Sequence, residues 1–93
     1  HGRVNAYAGE YDDALAALEK ALALLGEPER NDDRAGEWAE CVRLAGAVEG
    51  LYLERPAPAL TRLDAAVSHL TALGHTEETE PLISLAARLR DEE

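Results

Sequence analysis

Cysteine is nearly absent from this sequence. Cys41 stands alone among 93 residues, so no disulfide can form within the chain, and the usual staple of a small secreted domain is missing. A lone thiol fits a reducing compartment, and a cytoplasmic setting is the expectation. Methionine is absent altogether and the chain begins at His1, which reads as a processed or excised piece of a larger protein. No charged, apolar leader is present. No apolar run approaches the roughly 20 residues that a membrane span requires. Val, Ile and aromatic residues are sparse, and no segment alternates with period two, so β structure is not expected.

Basic residues are scarce as well: 9 Lys and Arg against 19 Asp and Glu, for a formal net charge of −10. Such a surface repels nucleic acid and anionic lipid, both of which need cations opposite them. It could favour a basic partner by electrostatic steering, although simple solubility is the commoner reason for such a charge. Ligand motifs are missing too. His69 and His75 stand six apart across a glycine and His1 is terminal, whereas helical zinc ligands sit three or four apart with others converging. Solvent-exposed histidines and no metal are expected. Cys41 falls on an apolar helix face, where a buried small hydrophobe is the default. Glu37, Glu40, Glu49 and Glu54 could offer acid–base pairs to a cleft, but charged helix faces are common. No phosphate-cradling glycine loop, serine elbow or dinucleotide fingerprint occurs. The chain reads as a non-enzyme without cofactors.

What the sequence has is helix periodicity. After Gly9, the acids Asp12 and Asp13 suit a first helical turn. Ala14, Leu15, Leu18, Ala21, Leu22 and Leu25 then recur at offsets of three, four and seven, one face of a 3.6-residue helix. Gly26 and Pro28 end it. Residues 1–8 read as the end of a preceding helix, broken at Gly9. Asn31, Asp32 and Asp33 offer caps for a third helix running to about Leu53. Its apolar residues, from Ala35 and Trp38 through Cys41, Val42, Ala45 and Val48 to Leu51 and Tyr52, spread over a wide arc. That breadth predicts neighbours on two sides and a central place. Gly36, Gly46 and Gly50 each cost about 1 kcal/mol against Ala in a helix, tolerable where another helix comes close. Pro56 and Pro58 suit the first turn of a fourth helix, with Ala59, Leu60, Leu63, Ala66, Val67 and Leu70 as its stripe and Gly74 as its end. A last helix follows Thr76, Glu77 and Glu78 and carries Leu82, Leu85, Ala86 and Leu89. One domain over 1–93, all-α, with consecutive helices antiparallel, is the fold expected from such short connections.

The stripe beginning at Ala14 aligns with the one beginning at Ala59, 45 residues on: Leu18 with Leu63, Ala21 with Ala66, Leu22 with Val67. More locally, Asn5 to Ala14, continuing to Leu18, Ala21 and Leu22, resembles the junction inside a tetratricopeptide repeat. In that family a glycine ends the first helix, an aromatic and acids open the second, and small residues let the two cross closely. Gly9, Tyr11, Ala14, Leu18 and Ala21 occupy those places here. Ala45-Gly46, Ala59, Leu63 and Ala66 follow the pattern loosely, and the 45-residue offset exceeds the family's usual length of about 34.

The resemblance implies stacked antiparallel hairpins in a short right-handed α-solenoid, about four full helices plus an N-terminal helical stub. It also implies an interaction module, within a bacterial regulatory or scaffold protein, that presents a helical surface or groove to a peptide or protein. The groove positions it points to are Arg3, Tyr7, Glu40 and Arg43. Trp38 joins Gly9, Tyr11, Ala14, Leu18, Ala21, Ala59, Leu63 and Ala66 as a packing residue. The family's paired Lys and Asn residues for a terminal carboxylate are not reproduced. The alternative is a structural solenoid cap or a homodimerisation element, with the apolar arc around Trp38 and Leu51 buried against a second copy.

Overall fold

The computed structural model describes the backbone of residues 2–29 and 33–92, and the side chains of 9–29 and 33–91. Four helices follow one another: α1 (Gly2–Leu25), α2 (Ala35–Ala47), α3 (Pro56–Leu73) and α4 (Glu80–Glu92). A π-helical turn, Val48–Tyr52, extends α2, and a single 3-10 turn, Glu77–Thr79, leads into α4. Among the described residues there is no strand.

The first departure from expectation is at Gly9. The N-terminal stub and the helix after it are one helix, α1, and Gly9 lies inside it. Gly9 does not have the positive φ that Gly26 (73°) and Gly74 (86°) adopt. It is exposed, with nothing within 4 Å of where a Cβ would lie. A lone glycine raises the cost of a helix by about 1 kcal/mol but does not terminate it. Termination takes a left-handed residue or a proline, as at Gly26 and Pro28. The acids Asp12 and Asp13 therefore lie mid-helix and open nothing.

The cap at α2 also differs. Its N-cap is Arg34, without a side-chain cap bond; Asn31 and Asp32 lie outside the described residues. At Gly74 the chain closes in a Schellman motif, with His75 N–H donating to Leu70 C=O at 2.9 Å and Gly74 N–H to Thr71 C=O at 3.1 Å. The π turn closes with wider bonds: Leu53 N–H donates to Val48 C=O, five residues back, and Arg55 N–H to Glu49 C=O, six back, both at 2.9 Å. Glu54 takes the left-handed position there, with φ 55°.

The expected central helix is α2, which touches α1, α3 and α4. Tyr11 stacks on Tyr52 with ring centroids 4.7 Å apart, while Leu22 shares a hollow with Trp38 and Val42. Those pairings run α1 antiparallel to α2. Two glycines of α2 and its π turn set the crossing with α3 and α4. A Cβ on Gly46 would lie 2.9 Å from Leu63 Cδ2, and one on Gly50 would lie 2.7 Å from both Leu89 Cδ atoms and 3.2 Å from Ala59 Cβ. Gly36 meets nothing within 4 Å, so close approach accounts for two of the three glycines.

The core joins Trp38, Ala39 and Val42 of α2 to Ala59, Leu63, Ala66 and Leu70 of α3 and to Leu82, Ala86 and Leu89 of α4. Among the described residues of α1, the partly buried Leu22 and Leu25 pack against it, and Leu15 is itself buried, 6% exposed. The Cα envelope measures 47 × 30 × 15 Å. A slab that thin holds two helix layers at the usual 8–10 Å axis spacing. The contacts assign α1 and α3 to one layer and α2 and α4 to the other, with a crevice between α1 and α3.

Candidate functional site

That crevice is a concave feature lined by three of the four helices. Leu22 and Ala23 of α1, with Glu27 just beyond it, form one wall; Arg62 and Ala65 of α3 form the other; Trp38 and Val42 of α2 are the floor. It encloses about 330 Å³, the low end of the range for ligand-sized clefts. Small side chains at the mouth keep it open, since Ala23 and Ala65 are both exposed.

Charged side chains close one end. Arg62 Nη2 donates to Glu19 of α1 at 2.9 Å, and Arg62 Nε donates to Glu49 of the π turn at 3.3 Å. Glu49 is a carboxylate only 8% exposed, and burying it requires such a partner. The result is one guanidinium between two carboxylates, tying the layers together. Arg55 and Asp12 approach to 3.7 Å further along the same seam.

The other end is built by histidines. His69 Nε2–H donates to Pro28 C=O at 3.1 Å and His75 Nε2–H to Glu29 C=O at 3.0 Å. The His69 ring also tilts against Trp38, centroids 5.7 Å apart. Both histidines are half-buried rather than solvated as expected. Two backbone carbonyls left over after α1 ends need donors, and α3 supplies them. Helical periodicity alone does not reveal such a pairing, which spans more than 40 residues.

Of the partner-binding residues expected from sequence, Arg3 and Tyr7 lie outside the described side chains. Glu40 and Arg43 pair with each other one turn apart on α2. The Arg43 hydrogen bond holds the Glu40 carboxyl below its ordinary value, against a small opposing effect of burial, and the same bond raises Arg43. Glu40 also lines a hollow of about 320 Å³ with Gly36, Ala39, Glu77, Glu78 and Pro81, between α2 and the start of α4. The two grooves share no described lining residue, and none of the described residues of α1 lines the second.

The packing residues divide by helix. Trp38, Ala59, Leu63 and Ala66 are buried; Tyr11, Leu18 and Ala21 are half-buried; Gly9 and Ala14 are exposed. Cys41 is half-buried and free. Among the described residues no group of three or more His, Cys, Asp or Glu side chains could hold a metal ion, and no helix is long and apolar enough to cross a membrane. Comparison with protein-family models, with curated proteins and with solved structures finds no match.

Proposed function

We propose that this chain is a protein-interaction module, a short solenoid of tetratricopeptide type, whose docking site is the crevice between α1 and α3. The supporting observation is the crevice itself: an apolar floor holding the single tryptophan, small residues at the mouth, and carboxylates at both ends. Its mechanism is passive, a preformed surface that costs a partner little ordering on the protein side. The contact between α2 and α4 is in keeping with stacked hairpins.

The test uses a photo-crosslinking side chain at Ala23, with one at exposed Ala87 of α4 as control, in cells of the parent organism. A partner should crosslink at position 23 but not at 87, and Ala65→Gln, which fills the mouth, should abolish it. Crosslinking that is indifferent to Ala65→Gln would overturn the reading.

One observation favours a structural role instead. Ala59, Leu63 and Ala66 of α3 are 0%, 0% and 3% exposed, whereas the aligned Ala14, Leu18 and Ala21 of α1 are exposed or half-buried. The α1 stripe has an open edge where that of α3 is filled. In the arc around Trp38, Trp38 itself packs into the chain's own core, while Tyr52 is 55% exposed. Sedimentation equilibrium separates the two readings. A monomer at every concentration leaves the crevice reading ahead, and a concentration-dependent dimer moves self-association through α1 ahead.

A further inference from the structure

We infer that the occupant of the α1–α3 crevice is a cationic amphipathic segment of a partner protein, with apolar side chains over Trp38 and Val42 and a Lys or Arg at each end. The inference deepens the interaction function proposed for the crevice and depends on it.

The charges at the two ends carry the inference. At one end Arg62 is shared by Glu19 and Glu49, which leaves one negative charge in excess. The Glu19 side chain is 53% exposed, so it can accept a second cation without breaking its bond to Arg62. At the other end Glu27, on the crevice wall, has a side chain 74% exposed. Between these acids the wall of α1 is Leu22 and Ala23. Acid and apolar pair thus follow one another along one edge of α1 at positions 19 and 22–23, about one helical turn apart, and a second acid, Glu27, stands just past the helix end at Leu25.

A complementary segment carries a cation on either side of its apolar residues. Two cations facing Glu19 and Glu27 would be drawn in by the whole chain, whose net charge is −10. The same charge argues against a second copy of this chain as occupant, because each copy would bring acids to acids. The apolar floor supplies what a purely electrostatic encounter lacks, a place where water is excluded and register is fixed.

Trp38, the one tryptophan, forms part of the floor and so reports occupancy by its own emission. The probe is a synthetic helical peptide with two leucines flanked by lysines, compared with the same peptide carrying glutamates. The lysine peptide should shift Trp38 emission saturably, and the glutamate peptide should not. Ala65→Gln fills the mouth without changing charge and should weaken binding about tenfold. Ala87→Gln, an equally neutral change on exposed α4, should leave it unchanged.

Raising salt from about 0.1 to about 1 M should weaken the lysine peptide, as the screening length falls from roughly 10 to 3 Å. Equal binding to the Ala65 and Ala87 variants would mean the peptide merely coats an acidic protein, and would overturn the inference. So would the absence of saturable binding. A partner crosslinked at Ala23 whose bound segment lacks flanking cations would also overturn it while leaving the interaction function intact. If no partner depends on the crevice, both fall.

Discussion

Gly50 gives the sharpest test of how these helices pack. Glycine to alanine in a helix gains about 1 kcal/mol of backbone propensity, so at an open position the substitution should stabilise. At Gly50 the added methyl group would lie 2.7 Å from both Leu89 Cδ atoms and 3.2 Å from Ala59 Cβ. Leu89 and Ala59 are both 0% exposed, so neither can swing into solvent, and the Ala59 methyl cannot rotate away at all. Overpacking of a filled core costs about 1–3 kcal/mol. With that cost near its upper end, G50A should lose about 1–2 kcal/mol net.

At Gly9, inside α1 with nothing within 4 Å, only the propensity gain applies, and G9A should gain up to about 1 kcal/mol. Gly46 is intermediate: its methyl would press on Leu63 alone, at 2.9 Å, and the net change should be smaller than at Gly50. In a domain of this size 1 kcal/mol moves the melting temperature by about 4–8 °C, so urea or thermal unfolding followed by helical circular dichroism resolves the order. L89V on the G50A background should recover part of the loss, a coupling absent from the L89V and G9A pair. If G50A is as stable as G9A, the close approach of α4 to the π turn is wrong. If G9A is destabilised by about 1 kcal/mol, the chain turns at Gly9 with a left-handed backbone, and a continuous α1 is wrong.

Arg62→Ala strands the buried Glu49 carboxylate and should cost about 2 kcal/mol or more, discounted from fully buried pairs because Arg62 is partly exposed; Glu19→Gln at the exposed partner should cost under about 0.5 kcal/mol by the same unfolding assay. Equal losses would refute the unequal burial of the two acids. Glu54→Gly relieves the left-handed strain of a non-glycine residue at φ 55°. After the entropy cost of glycine in the unfolded chain it should still stabilise by about 0.5 kcal/mol. The Glu40–Arg43 pair gives a pH test. Because Arg43 lowers the folded Glu40 value, the pair's contribution is present above the ordinary carboxylate value and lost as pH falls through the lowered one. Being exposed, it is worth a few tenths of a kcal/mol at neutral pH. R43A should erase that acid-side slope, and a difference that persists at pH 2 would assign the effect to packing instead.

The parts of the fold legible in the sequence are those that one helix declares about itself. The wide apolar arc from Ala35 to Tyr52 announces a helix with several neighbours because every neighbour demands its own apolar strip, and α2 indeed meets three. Gly74 announces an end because only a left-handed residue closes a Schellman motif cheaply. Gly9 misled for the complementary reason. A glycine in sequence is permissive, and what it permits is decided by its surroundings; here an exposed position with unbroken helix on both sides leaves it helical. The π turn was invisible because its cause is tertiary. Gly50 must let Leu89 and Ala59 approach, and the widened turn absorbs the local change in backbone.

The crevice was legible only in its pieces. Trp38 and the stripe of Ala14 to Leu25 were recognisable as apolar, but the residues that shape the ends, Arg62, His69 and the carboxylates they meet, are polar residues scattered over four segments. Periodicity assigns such residues to solvent by default. Their pairing follows from burial of Glu49 and from the approach of the Pro28 and Glu29 carbonyls, in the segment after α1, to His69 and His75, and each condition arises only once the layers are stacked. One rule connects these cases. Where a polar group is left over by a helix end or a helix crossing, the nearest long polar side chain of the neighbouring helix is recruited to it. In this chain α3 supplies all three, Arg62 and His69 from within the helix and His75 just past its end. A helix that contributes four residues to the core, Ala59, Leu63, Ala66 and Leu70, thus also reaches α1 and the segment after it through polar bonds at the two ends of the crevice.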